Sequence, residues 1–310
     1  MRPGPTDHDP LTGSTAPPTI PNGDPPGSAG TPIGSSDGVT VSLHDLGGDG
    51  PLLLLAHATG FHGRVWGPCA SHLRDRHCVA PDLRGHGDSV IPDGIGFAWS
   101  GFADDVLAVV DHLGGGPMIA AGHSKGGASL LLAEQRRPGT FTGLYLYEPI
   151  VFPPIAAALQ RGEDGESTNP LAAGARRRRP TFDSYDAAYD NFATKPPFDA
   201  LDPTVLRAYV DGGFRLQDDG TVTLKCRPEN EAQVYEMGSQ HDAYDHLAEV
   251  ACPVTVGFGA DAPFSPASFA EPIVERLPDG RLDPHPDLGH FGPLEDPAAI
   301  AASIRAALIR

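Results

Sequence analysis

No run of about 18 apolar residues occurs in the 310-residue chain, so the sequence contains no candidate membrane-spanning helix. Basic residues are scarce: 22 Lys and Arg stand against 40 Asp and Glu, a formal charge of -18. That balance argues against nucleic acid and against anionic membrane surfaces, both of which recruit Lys and Arg. Cysteine is also rare. Cys69, Cys78, Cys226 and Cys252 show neither C-x-x-C nor any Cys/His ligand spacing, so they read as reduced thiols of a cytoplasmic protein. No H-E-x-x-H occurs, and no G-x-G-x-x-G follows a strand. The expectation is therefore no metal and no dinucleotide cofactor. The opening Met1-Arg2-Pro3-Gly4 lacks the apolar centre of a secretory signal, a second ground for a cytoplasmic location. Nothing in the sequence speaks to oligomeric state.

Glycine and proline are plentiful. They dominate residues 1–37 together with Ser, Thr and Asp, and this stretch is expected to be a disordered tail, since it cannot bury enough to offset the entropy of ordering. Beyond it the pattern becomes regular. Residues 39–46 alternate as a half-exposed strand does, whereas residues 52–56 are continuously aliphatic, as suits a strand buried on both faces. An amphipathic helix is predicted over 66–76, a strand over 78–81, a helix over 100–113 and a strand over 118–121. After residue 121 come Gly122-His123-Ser124-Lys125-Gly126 and a helix over 128–137. Strands over 144–147, 254–258 and 281–285 and helices over 266–277 and 297–309 complete the rhythm. Strands alternating with helices imply a mostly parallel sheet with helices on both faces.

Residues 149–239 break that rhythm. Prolines interrupt a weaker periodicity, and Arg176 to Arg179 stand beside Phe182, Tyr185, Tyr189 and Phe192. The segment reads as a mostly helical cap inserted into a core of residues 38–148 and 240–310. The arginine run reads first as solvated or paired with nearby carboxylates, and otherwise as a binder of an anionic group.

Gly122 to Gly126 form G-x-S-x-G, in which a sharp strand-to-helix turn lifts a serine hydroxyl above the sheet. The flanking glycines are needed because a Cβ at either place would strike the neighbouring strand or helix. With His57-Ala58-Thr59-Gly60, Asp82-Leu83-Arg84-Gly85-His86-Gly87-Asp88-Ser89 and Gly289-His290-Phe291, the arrangement resembles the α/β-hydrolase fold superfamily, specifically capped serine hydrolases of the esterase and lipase kind. The likeness covers roughly residues 38–310, the cap in position and character only.

The resemblance implies an α/β fold and a set of roles. Ser124 matches the nucleophile, and His290 matches the base by its place after the last strand. The backbone N–H groups of Thr59 and Lys125 match the oxyanion donors, although Ala58 replaces a usual glycine. His123 and His86 match structural positions. Two carboxylates compete for the acid. The usual Gly-x-x-Asp position is Ala262 here, with Asp261 one residue early; Glu148 ends the strand after the elbow helix, where haloalkane dehalogenases place theirs. Serine at the elbow argues against dehalogenase and epoxide hydrolase chemistry, which need a carboxylate nucleophile. The Lys125 side chain is expected to lean into water, or else to hold a substrate carboxylate. The resulting expectation is a hydrolase of an ester, thioester or lactone of a small to medium, largely apolar molecule, with no cofactor. The same parts suit C–C bond hydrolysis or acyl transfer, and a ligand-binding protein that has lost turnover is a third reading.

Overall fold

The computed structural model describes residues 28–159, 169–260 and 265–308. In chain order these form β1 (Thr31–Gly34), β2 (Thr40–Gly47), β3 (Leu52–Ala56), α1 (Gly67–Ser71), β4 (His77–Asp82), α2 (Trp99–His112), β5 (Met118–His123), α3 (Lys125–Arg136) and β6 (Phe141–Tyr147). Next are α4 (Pro154–Leu159), α5 (Pro170–Arg176), β7 (Thr181–Phe182), α6 (Tyr185–Phe192), α7 (Pro203–Gly213), β8 (Phe214–Leu216), β9 (Val222–Leu224) and α8 (Pro228–Glu236). Last come β10 (Val254–Phe258), α9 (Ala270–Arg276), β11 (Gly280–Pro284), α10 (Gly292–Glu295) and α11 (Pro297–Leu308).

Eight strands make one sheet in the order β1-β2-β4-β3-β5-β6-β10-β11. From β4 to β11 every pairing is parallel, while β1 and β2 join antiparallel at one edge. The aliphatic run of β3 shows why. Leu53 and Leu55 face one side with Trp66, Ile300 and Ile304, and Leu54 and Ala56 face the other with Phe102, Val106, Leu130 and Leu131. A strand buried on both faces has no polar side, and each leucine withdrawn from water contributes about 1.5–3 kcal/mol. The layering brings the C-terminal ends of β3, β5, β6 and β10 to one edge, where open α/β sheets place their chemistry.

Between β6 and β10 the chain leaves the main sheet. Residues 149–239 carry α4 to α8, and β7, β9 and β8 form a second, antiparallel sheet of three strands. This segment is tied to the rest by Trp99 Nε1 donating to the Met237 carbonyl at 2.6 Å, by Lys225 on Asp88 at 2.8 Å and by His62 stacked on Tyr209.

Two expectations need correction. The folded chain begins before residue 38: β1 pairs with β2, Ile33 is buried, and Asp37 binds Arg84 at 3.1 Å. Residues 1–27, the rest of the expected tail, lie outside the described residues. The helix expected over 66–76 is only Gly67–Ser71, because the Arg74 carbonyl accepts from Asp49 N–H and the His77 N–H turns to Pro51. Among the described residues, the inserted segment carries the helices α4 to α8 and the small three-stranded sheet.

Candidate active site

β5 ends at His123, α3 begins at Lys125, and Ser124 alone makes the turn with φ 54° and ψ -117°. Such a backbone conformation is strained for a residue with a Cβ and persists only where neighbours enforce it. They do so by close packing. A Cβ on Gly122 would lie 2.7 Å from Gly127 N, and one on Gly126 would overlap the Ala56 carbonyl of β3. The Ser124 N–H donates to the Tyr147 carbonyl at 2.9 Å, and its own carbonyl accepts from Ile150 at 3.2 Å. The backbone of Ser124 is held from both sides, and the residue is 5% exposed.

His290 Nε2 lies 3.1 Å from Ser124 Oγ, and its Nδ1 lies 2.7 Å from Glu148 Oε2. Since the carboxylate only accepts, Nδ1 carries the proton, which leaves Nε2 free to accept from the serine. Glu148 also has positive φ, at 42°, and its side chain is fully buried. Its Oε1 accepts from Gly259 N–H at 2.9 Å, and Ser265 Oγ approaches Oε2 at 3.4 Å. A buried carboxylate is tolerable only when its oxygens are paired, as these are. Asp261, the competing acid, lies outside the described residues. Ser124, His290 and Glu148 are brought together.

His123, expected to be structural, reaches the base directly. Its Nε2 donates to the His290 carbonyl at 2.7 Å. Burial first, then the nearby His290, keeps its pKa well below the usual histidine value, so it stays neutral with the proton on Nε2.

The loop after β3 is fixed by a second histidine. His57 Nδ1 donates to the Ala58 carbonyl at 2.8 Å while Nε2 accepts from Leu83 N–H at 3.0 Å. Burial, followed by the neighbouring Lys125, holds His57 neutral. Ala58 keeps a negative φ, so the departure from glycine introduces no backbone strain. Among the described residues, neither the Thr59 nor the Lys125 amide donates a hydrogen bond. Both sit at the sheet edge that bears Ser124, since Ala56 pairs with Gly122.

The loop after β4 is structural. Asp82 accepts from Gly63 N–H and Asp88 N–H, each at 2.7 Å, and contacts His44 Nε2 at 2.9 Å. His44, Asp82 and Asp88 are close enough to suggest a cation site. However, both Asp82 oxygens are engaged and Lys225 already supplies the positive charge on Asp88, so the donor set does not call for a metal.

Lys125 departs from both expectations for its side chain. It is completely buried, not in water, and its Nζ lies 4.9 Å over the Phe102 ring and 3.4 Å from His86 Nδ1. His86 Nδ1 already faces the Arg84 carbonyl at 2.9 Å and so carries a proton. An ammonium would point at that N–H, whereas a neutral amine accepts from it. Burial lowers the Lys125 pKa to about 7.

In the arginine run, Arg176 pairs with Glu229 at 2.9 Å and with Glu236 at 2.6 Å, Arg178 pairs with Glu231, and Arg179 lies over Phe182. Paired arginines were the first expectation. The sequence carries no signal for the Arg178–Glu231 pair beside the Thr59 loop, whose members stand 53 positions apart.

A model of the Alpha/beta hydrolase family matches residues 53–303. The chain belongs to the alpha/beta hydrolase family. Among individual members, the bifunctional esterase/perhydrolase of Acinetobacter calcoaceticus is 26% identical over 285 residues, covering 86% of this chain and 95% of that protein. Lipase LipV of Mycobacterium tuberculosis is 36% identical over 114 residues, 36% of this chain. The match spans 43% of the lipase, under half its length. The solved E-2-(acetamidomethylene)succinate hydrolase superposes with a TM-score of 0.74 at 20% identity, covering 91% of this chain and 99% of that one, a likeness of fold. No helix among the described residues is long and apolar enough to cross a membrane.

Proposed function

We propose that this family member is a serine hydrolase that cleaves an ester, thioester or lactone through an acyl-enzyme on Ser124. The observation that carries the reading is the unbroken run of contacts from Ser124 Oγ to His290 Nε2 at 3.1 Å and from His290 Nδ1 to Glu148 Oε2 at 2.7 Å. Ser124 Oγ attacks the substrate carbonyl carbon as His290 Nε2 takes its proton. Glu148 holds the tautomer and stabilises the imidazolium without itself being protonated. The negative charge on the former carbonyl oxygen is met by the N–H groups of Thr59 and Lys125. Collapse breaks the bond to the leaving oxygen or sulfur, which receives the proton from Nε2. Water then gives a proton to His290 Nε2 and attacks the acyl carbon; the bond to Ser124 Oγ breaks, Oγ takes that proton back from Nε2, and the acid leaves.

Residues 149–239 act as the cap in this reading. The Phe61 ring lies 5.8 Å from Phe198 and 5.7 Å from Phe291, whose own ring lies 5.2 Å from His290, which favours a largely apolar substrate. Four buried free cysteines are consistent with a reducing, cytoplasmic location.

Labelling with a fluorophosphonate probe tests the proposal. Wild type should label at Ser124, while Ser124→Ala and His290→Ala should not. A folded wild type that fails to label, and that hydrolyses neither esters nor thioesters, would overturn it.

A further inference from the structure

Thr59 is followed by Gly60, whose φ of +80° lies in the left-handed region. A Cβ at this position would lie 2.7 Å from Glu231 Oε1 and 3.5 Å from Arg178 Nη1. An ion pair from the inserted segment is thus seated on the loop that carries the Thr59 amide. Glu231, on α8, is 5% exposed, and its Oε2 accepts from Arg178 Nη1. Arg178 Nη2 donates to the Tyr209 hydroxyl, and the guanidinium lies 5.8 Å from the rings of Phe192 and Phe198. The pair cannot swing away without breaking these contacts.

Glu231 Oε1 is different. It faces Gly60, and no donor among the described residues reaches it. Oε1 is not one of the buried side-chain atoms that lack a partner, so it keeps contact with accessible space, from which a donor on a bound molecule can reach it. Its surroundings indicate where the donor comes from. Phe61 follows Gly60, and its ring lies 5.2 Å from Tyr209, 5.8 Å from Phe198 and 5.7 Å from Phe291. Phe291 in turn lies 5.2 Å from the His290 ring. One aromatic wall therefore runs from the ion pair to the imidazole that contacts Ser124. Oε1 is a single charged acceptor set into that wall beside the oxyanion loop.

We infer that Glu231 determines specificity, with Oε1 accepting a hydrogen bond from a neutral donor, a hydroxyl or an amide N–H, a few bonds from the scissile carbonyl. The inference rests on the serine hydrolase reading. Arg178, itself held by Tyr209, positions the carboxylate. An anionic substrate group at the same place would meet a carboxylate oxygen, so the pair selects for a donor.

Substrates matched for shape test this. The p-nitrophenyl esters of 2-hydroxybutyrate and 3-hydroxybutyrate are compared with butyrate, and N-acetylglycinate with 4-oxopentanoate, where CH2 replaces N–H. For wild type, at least one donor ester should exceed its partner in kcat/KM by roughly tenfold to a hundredfold, the range for a hydrogen bond to a charged group. In Glu231→Leu that ratio should fall to about one. The double variant Arg178→Met with Glu231→Leu leaves no unpaired charge behind and should show the same collapse, which separates recognition from misfolding. Equal ratios in wild type and variants, or no preference in any pair, would overturn the assignment. Calorimetric binding of the same esters to Ser124→Ala reads the preference without turnover. Retained preference there, with no hydrolysis by wild type, would defeat the hydrolase reading and leave Glu231 standing.

Discussion

The imidazole of His123 donates to the main-chain carbonyl of His290 at 2.7 Å, joining the residue before the nucleophile to the base itself. The position of His290 over Ser124 therefore depends on a bond made from the end of β5, not only on the loop that bears it. His123→Phe keeps a buried ring and removes the donor. It is expected to lower kcat roughly tenfold to a hundredfold with a smaller change in KM, because a small misplacement of a catalytic group is costly in rate. His123→Gln, which keeps a donor, should recover part of the loss. Steady-state kinetics on a p-nitrophenyl ester, with melting temperatures as a check on folding, measures both.

The two carboxylates offered by the sequence separate cleanly by mutation. Glu148→Gln should cut kcat by roughly a thousandfold to ten-thousandfold, the scale on which loss of the orienting carboxylate acts in serine hydrolases. Asp261→Asn should stay close to wild type. The reverse pattern in single-turnover rates would move the acid to Asp261.

Lys125 makes stability depend on pH with a definite sign. In the unfolded chain its amine holds a proton up to about 10.5, and in the fold burial releases it at about 7. Between these values the unfolded state binds more protons, so stability rises with pH. Below about 7 both states are protonated and the full penalty of the buried charge is present. The groups facing the amine are His86, Phe102, His57, Asp82, Asp105 and Cys226, and all of them are kept in Lys125→Met. The gain of wild type in urea midpoint from pH 7 to pH 9, measured relative to Lys125→Met, should therefore be positive. A flat difference would refute the neutral amine.

Two glycines should behave oppositely. At Gly126 a methyl would enter the Ala56 carbonyl, backbone that cannot move without opening the sheet, and Gly126→Ala should lose about 1–3 kcal/mol from overpacking together with most activity. At Gly174 in α5 a Cβ meets nothing within 4 Å. Gly174→Ala should gain about 0.5–1 kcal/mol, since alanine loses less entropy in a helix. Thermal melts read both.

Ser124 and His290 were legible because their signals are local. Glycines crowd a turn around the serine, and a Gly-His pair follows the last strand. Glu148 and Asp261 could not be separated in this way, since reaching His290 depends on β6 lying between β5 and β10, a fact of sheet order. Lys125 was misread because polarity says where a side chain belongs in isolation, while its burial comes from Phe102 and His86, far away in sequence. β1 went unseen because four residues with one buried side chain, Ile33, carry no period in a Pro/Gly-rich stretch. β7 to β9 were missed for the same reason, being two or three residues each.

Glu148 follows directly on the Tyr147 whose carbonyl holds the Ser124 amide, so nucleophile and acid are separated by a single rung of the ladder between β5 and β6. Their spacing is then inherited with the strand register, and the loop after β10 adds to it the Gly259 amide on Oε1 and the Ser265 hydroxyl near Oε2. Grafting foreign sequence at residues 261–264 should leave the chemistry intact, because Ser124, His290 and Glu148 all lie on other segments, and a lineage or an engineer can vary that stretch without rebuilding the relay.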